Sequence, residues 1–328
     1  MRNLSFKNKT VLITGGAGFI GSHLADELVK QEAEKIVVVD NFFLGNADNL
    51  KWAMDAYGEK LTVYREDASD YTAMENIFLR ENIDVVYNMA SKALPYSFIH
   101  PEGAYSTNVN IANVVTSLLR KGLFKSLVHF SSSEAYGSAE YIPMDEKHPL
   151  NPTTPYAAGK ASADLLLLSN YRTFGLKLTI LRPFNNYGPR QNETVYSALI
   201  PITIKRILQG KKPIMEGDGS QTRDFLFVSD TVRAAIEMHD RKTVEGKVVQ
   251  IATGKETSVK QVIETIASQM KYRGGIEKKP ARPADVERHC GSIELAKKLI
   301  GFQPRVSFEQ GIQKTIDYYK SIELKDLR

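Results

Sequence analysis

Tyr156 and Lys160 stand four residues apart in Pro155-Tyr156-Ala157-Ala158-Gly159-Lys160, inside a stretch that reads as a helix over 154–174. At that spacing two side chains share one helical face. An ammonium beside a phenol favours the phenolate and lowers its pKa from ~10 towards the range of a working general base. The pair therefore predicts proton transfer. Upstream, Ser131-Ser132-Ser133-Glu134-Ala135-Tyr136-Gly137 closes an apolar run at 126–131 and offers hydroxyls and a carboxylate. Alone, such a segment is equally a serine-rich turn with a capping carboxylate, and a lone Tyr/Lys pair is ordinarily a surface coincidence.

A third motif gives both segments weight. Thr14-Gly15-Gly16-Ala17-Gly18-Phe19-Ile20-Gly21 follows an apolar run at 10–14 and opens an amphipathic stretch at 19–31. Gly15 permits a tight turn, Gly18 lets backbone approach a pyrophosphate, and Gly21 allows a helix to pack closely on a strand. The helix start offers free N–H groups and a positive dipole end to phosphates. Asp40 ends the next apolar run, 19 residues after Gly21. There a carboxylate bonds a ribose 2′-hydroxyl and repels a 2′-phosphate, so the expected cofactor is NAD rather than NADP.

The elements that must position these residues alternate. Strands are predicted at 10–14, 36–39, 61–64, 83–88, 126–131 and 177–182, and helices near 19–31, 70–80, 102–121 and 154–174. Apolar strands alternating with amphipathic helices predict an α/β fold: a doubly wound parallel sheet (Rossmann) with a smaller α/β C-terminal substrate lobe. After Pro183 the rhythm breaks. Residues 183–192 (PFNNYGPRQN) read as a long loop, followed by helices near 196–209, 229–239, 258–272 and 309–322 and short strands near 213–216 and 225–228. The expected division is 1–182 for the dinucleotide domain and 183–328 for a discontinuous lobe, with segments near 225–252 free to return to the sheet. The cleft between them would take the substrate.

Composition narrows the classes of function. With 328 residues, 42% of them hydrophobic and 25% charged, the chain can bury a core and is not of disordered type. Its one cysteine, Cys290, excludes an internal disulfide and a cysteine-based zinc site, and fits a cytoplasmic setting. No apolar run approaches the ~18 residues of a membrane span, and the N-terminus lacks signal-peptide form. Forty-three basic and 38 acidic residues are interleaved without the basic stripe that nucleic-acid binding requires. A mild positive excess suits an anionic small substrate.

The spacing Gly15-x-x-Gly18-x-x-Gly21 resembles the short-chain dehydrogenase/reductase superfamily, and Gly18-Phe19-Ile20-Gly21 its extended branch of NAD-dependent nucleotide-sugar epimerases and dehydratases. Further segments match that family in order over nearly the whole chain: 65–68, 88–91, the serine segment, the Tyr/Lys pair, 182–190, 217–225 and 282–286. The resemblance implies a cofactor set of Gly15, Gly18, Phe19, Ile20, Gly21, Asp40, Asn41, Asp67, Ala68, Met89, Ala90, Ser91, Asn108, Tyr156, Lys160 and Pro183. Within it Asp67 would meet the adenine and Lys160 the nicotinamide ribose. It implies that Ser132 bonds the sugar O4 and passes its proton to Tyr156, with Ser133 and Glu134 completing the catalytic set. Lys92, Asn185, Arg190, Arg223 and Arg282 are the implied substrate contacts. Guanidinium groups fork onto phosphate oxygens, which suits Arg223 and Arg282 as diphosphate clamps.

Members of this family first oxidise a nucleotide-diphosphate sugar at C4. The 4-keto sugar is then reduced on its other face, loses the 6-hydroxyl after C5 deprotonation, or loses CO2 from a uronic acid. Simple 4-epimerases usually lack the glutamate at position 134, whereas dehydratases use one as the acid/base at C5 and related decarboxylases carry one too. Thymidine-sugar dehydratases read Asp-Glu where this chain has Ser133-Glu134; guanosine- and acetamido-sugar dehydratases and the decarboxylases read Ser-Glu. Residues 91–97 lack the proline-rich decarboxylase form. The resulting expectation is an NDP-hexose 4,6-dehydratase, a lyase, with a 4-epimerase or a UDP-glucuronate decarboxylase as alternatives. A non-catalytic dinucleotide-binding regulator would be expected to have lost Tyr156 or Lys160, and both are present. The family's usual homodimer would pair helices 102–121 and 154–174, the second through Ala157, Ala158, Ala161, Leu165 and Leu168.

Overall fold

Successive side chains of a strand point to opposite faces, and in the first two strands both faces are apolar. In β1 (Thr10–Thr14) Val11 and Ile13 enter one core cluster and Leu12 another. In β2 (Lys35–Val39) Ile36 and Val38 join the first cluster, Val37 and Val39 the second. Strands of this kind need helices on both sides. The computed structural model, which describes residues 6–192, 198–281 and 286–326, supplies them. After β1 come α1 (Phe19–Lys30), β2, α2 (Lys51–Tyr57), β3 (Leu61–Tyr64), α3 (Tyr71–Glu81), β4 (Val85–Asn88), α4 (Leu94–Ser97), α5 (Pro101–Arg120), β5 (Ser126–Phe130), α6 (Pro155–Phe174) and β6 (Leu178–Pro183). The remaining elements are β7 (Asn185–Tyr187), α7 (Leu199–Leu208), β8 (Ile214–Glu216), β9 (Thr222–Arg223), β10 (Phe225–Phe227), α8 (Val228–Met238), β11 (Val248–Ile251), β12 (Thr257–Ser258), α9 (Val259–Gln269), β13 (Glu277–Lys279), α10 (Glu294–Ile300) and α11 (Phe308–Asp326).

Seven strands form one parallel sheet in the order β11-β6-β5-β4-β1-β2-β3. Leu24 and Leu28 of α1 and Val232 and Ala235 of α8 pack on one face; Ile77 of α3, Val115 of α5 and Leu167 of α6 pack on the other. The chain crosses from one side of the sheet to the other between β1 and β4. At such a reversal the two crossover connections diverge and leave a crevice at the strands' C-terminal ends.

Two expectations for the second half are corrected. Residues 183–192 are not wholly loop: β7 pairs in parallel with β10, Asn185 opposite Phe225 and Tyr187 opposite Phe227. Burial of the Tyr187 ring, with centroids 5.5 Å from Phe227 and 5.6 Å from Phe308, outweighs the turn-forming composition around it. The second is that 248–251, read without a strand, forms β11; it returns to the main sheet beside β6, as the reading of 225–252 allowed, Val249 opposite Leu181. Asp224 ties it to the lobe: its buried carboxylate accepts from the Thr253 N–H and hydroxyl at 2.7 and 2.6 Å and from the Gly254 N–H at 2.9 Å.

Candidate active site

The glycine turn is shaped by contacts that leave no room for side chains. Gly15 has φ +70°, and a Cβ there would stand 2.9 Å from the Ala90 backbone. A Cβ on Gly21 would stand 2.3 Å from the Gly15 carbonyl oxygen, so this residue sets how closely α1 meets β1. No side chain caps the start of α1 at Gly18, which leaves its first N–H groups available to an anion. Asp40 is buried and accepts from the Ala17 N–H at 3.0 Å and the Phe42 N–H at 2.8 Å. Burial pushes its carboxyl up, and these N–H groups hold it back down. A carboxylate has acceptor capacity for further bonds, so this residue braces the turn and can still meet a ribose hydroxyl. Glycine clearance, an uncapped helix start and a carboxylate at the end of β2 together fit a dinucleotide with a free 2′-hydroxyl.

Across the crevice, the Thr154 hydroxyl caps α6 by accepting from the Ala157 N–H at 3.2 Å, which fixes the turn carrying Tyr156. The Lys160 ammonium is buried and donates to the Phe130 carbonyl at 2.9 Å. Burial lowers Lys160 to about 8, against the field of Asp164, which raises it. The expected lowering of Tyr156 is overturned: burial pushes its phenol up to about 12, the Ser132 hydroxyl bond lowers it, and the Glu134 and Asp164 charges raise it. Shared helical phase does not encode desolvation, which is the largest influence here. Ser132 also caps the one-turn 3₁₀ segment Ser133–Tyr136, accepting from the Glu134 N–H at 3.2 Å. That bond holds Glu134 at the cavity wall.

One cavity of about 530 Å³ collects these groups. Every expected site residue among the described ones lines it except Asn108, which stands behind the wall and accepts from the Lys92 N–H at 2.9 Å. Arg282 lies outside the described residues. Within the substrate set the surroundings differ. Asn185 presents a buried Oδ1 with no partner, as a residue awaiting a ligand would. Arg190 is turned to α1, bonding Asp26 at 2.8 Å, and Arg223 donates to the Thr222 carbonyl at 2.9 Å. The Lys92 ammonium lies 3.6 Å from the Phe43 ring centroid and feels the Asp67 carboxylate, which places it by the dinucleotide turn. Asp67 accepts from Asn41 at 2.9 Å and from the Ser69 hydroxyl at 2.6 Å. The sequence reading missed Asp164 and Arg182, a buried pair 2.7 Å apart behind Lys160. Asp164 follows Lys160 by four residues, the signal that could have found it.

Fold and cavity are those of a dinucleotide-dependent α/β enzyme. Comparison with known proteins narrows this. The GDP-mannose 4,6 dehydratase family model matches residues 12–315. The UDP-N-acetyl-alpha-D-glucosaminuronate decarboxylase of Bacillus cytotoxicus is 33% identical over 338 aligned residues, covering 96% of this chain and 99% of that protein. The structure of UDP-glucose 4-epimerase from Thermotoga maritima, with UDP-glucose, superposes with a TM-score of 0.90 at 30% identity, covering 96% of this chain and 99% of its own. That of dTDP-glucose 4,6-dehydratase from Bacillus anthracis, in complex with NAD, gives 0.86 at 31% identity, covering 98% and 100%. The chain belongs to the GDP-mannose 4,6-dehydratase family, within the extended short-chain dehydrogenase/reductases that modify nucleotide sugars.

Proposed function

We propose that the protein is an NAD-dependent NDP-hexose 4,6-dehydratase that works as a homodimer in the cytoplasm. The observation that carries this reading is Glu134: its carboxylate shares the cavity with Tyr156 and acts on the phenol's charge. A 4-epimerase has no task for a second acid/base there. The residues that would hold NAD are the glycine turn, Asp40 and Asp67, with Tyr156 and Lys160 at the reacting end.

NAD, when bound, supplies reversible oxidation at the sugar C4 and a positive charge that favours the phenolate. Ser132 bonds the O4 hydroxyl, and Tyr156 takes its proton. In the resulting 4-keto sugar the C5 proton is acidic; Glu134 removes it and gives it to the departing 6-hydroxyl, which leaves as water, and the 5,6-double bond that remains would take the hydride from C4 back at C6 and a proton at C5. One carboxyl can serve both steps, because the proton it takes from C5 is the one it gives to the leaving hydroxyl. Asn185 and Arg223 would hold the diphosphate.

A second reading, decarboxylation of a nucleotide-linked uronic acid, is favoured by the 33% identity to the B. cytotoxicus decarboxylase. Incubation with UDP-, GDP-, dTDP- and CDP-sugars and uronic acids, read by mass spectrometry, separates the readings. Loss of water from a hexose supports the dehydratase, loss of CO2 the decarboxylase. An isomeric product of unchanged mass overturns both in favour of epimerisation.

A further inference from the structure

Beneath Tyr156 and Lys160 runs a chain of buried polar groups that the proposed reaction does not use. The Thr14 hydroxyl donates to Asn88 Oδ1 at 2.7 Å, and Asn88 Nδ2 lies 3.0 Å from His129 Nδ1. Because the amide oxygen already accepts, its nitrogen donates, so Nδ1 is the bare nitrogen of His129 and Nε2 carries the proton. That Nε2 faces Asp164 Oδ1 at 3.9 Å, and both atoms are buried without a closer partner. Asp164 Oδ2 accepts from the Ser131 hydroxyl at 2.5 Å and from Arg182 at 2.7 Å. The Arg182 guanidinium in turn covers the Tyr136 ring at 4.3 Å. Tyr156, Lys160 and Asp164 follow one another at four-residue intervals along α6, so all three share a face.

We propose that Asp164 is a positioning residue for the Tyr156/Lys160 pair: clamped by Arg182 and Ser131 one helical turn along α6 from Lys160, its carboxylate keeps the Lys160 ammonium charged beneath the phenol. The inference rests on the reading of Tyr156 and Lys160 as the catalytic pair. A buried carboxylate this firmly held costs desolvation that a plain apolar core would avoid, so its worth lies in the field it sets up. Lys160 needs that field, because burial brings its ammonium down to about 8, where it would begin to lose its charge at working pH. The charged and titratable groups facing this centre are Tyr156 on α6, His129 on β5, Arg182 on β6, and Glu134, Tyr136 and Glu146 in the segment after β5. Burial keeps His129 well below the usual histidine range, and so neutral. Asp164 and Arg182 are thus charges of this centre that do not themselves line the cavity.

The test uses Asp164→Asn, Arg182→Gln and the double variant in the full chain. Turnover of the sugar identified above and NAD affinity by calorimetry are both followed against pH, with thermal unfolding to confirm folding. Loss of the Lys160 charge gives an alkaline limb in both profiles. In Asp164→Asn the uncompensated Arg182 cation moves the limb down by about one pH unit, and turnover at pH 8 falls ~5-fold. In Arg182→Gln the freed carboxylate moves it up, and the double variant returns near the wild-type position. The two single variants shift oppositely, so either alone carries the test if the other fails to fold. A limb that stays put in the folded single variants, whatever their loss of rate, overturns the proposal and leaves the pair structural. Lys160→Met keeps the two readings apart: unchanged turnover there removes the catalytic pair itself, whereas abolished turnover with immobile limbs removes only Asp164.

Discussion

Tyr156 has to lose a proton that its surroundings hold in place, since burial raises the phenol to about 12 and the Glu134 carboxylate pushes the same way. This opposition links the two halves of the proposed reaction. Glu134→Gln keeps the side-chain shape while removing both the second acid/base and the charge that restrains the phenol. Two outcomes follow. Oxidation at C4 should persist while loss of water fails, so the absorbance of the reduced cofactor accumulates once substrate is added. The sign of the pH effect is also fixed: a group whose pKa is raised by an anion titrates lower once the anion is gone. The acid limb of C4 oxidation should therefore move to lower pH in the variant, as stopped-flow traces across pH would record. If the glutamine variant still eliminates water at the wild-type rate, Glu134 is a cap on its own turn and not a participant.

Elements bring these residues together through contacts that leave little slack, most visibly where α1 leaves β1. Gly21→Ala would put a methyl group 2.3 Å from the Gly15 carbonyl oxygen, against backbone that cannot rotate away. The helix must shift, at an overpacking cost of about 1–3 kcal/mol, and NAD affinity should fall with the displaced N–H groups. Ser258→Ala is the matched control: it removes half of a capping box at α9, outside the sheet that carries the turn, and should cost about 1 kcal/mol while leaving NAD affinity unchanged. Urea unfolding with cofactor titration compares the two, and equal affinities in both variants would sink the argument. The glycines were legible in the sequence because their spacing records this close approach, and the Tyr/Lys pair because i, i+4 spacing survives any packing. Three things were not. β7 hides in turn-forming residues and is held by aromatic contacts from β10 and α11. β11 has only four residues and exists through its register with β6. The high phenol pKa of Tyr156 comes from desolvation, which spacing does not encode.

Taken as a whole, the molecule buries α5 and α6 against each other and against the sheet, yet leaves large side chains of both helices in solvent. Tyr105 of α5 is 43% exposed and Leu165 of α6 is 56% exposed. Ala157 and Ala161, expected on the dimer surface, are instead buried within the protomer, and Leu168 packs against the core cluster beneath. The surface available to a second copy is therefore narrower than the sequence suggested, centred on Leu165 and Tyr105 rather than on the alanines. A two-fold axis through this face would make it self-complementary, each Leu165 meeting the partner's copy of the same helices. Leu165→Asp then places like charges at the axis without disturbing the protomer core. Sedimentation at micromolar concentration should find the wild type as a dimer and this variant as a monomer whose unfolding midpoint, unlike the wild type's, does not rise with protein concentration. Because α6 carries Tyr156 and Lys160 on its inner face, a dimer should also stiffen the catalytic helix, and the monomer should show a lower turnover number at nearly unchanged KM. A wild type that sediments as a monomer would show that the exposed leucine and tyrosine serve no assembly of this kind.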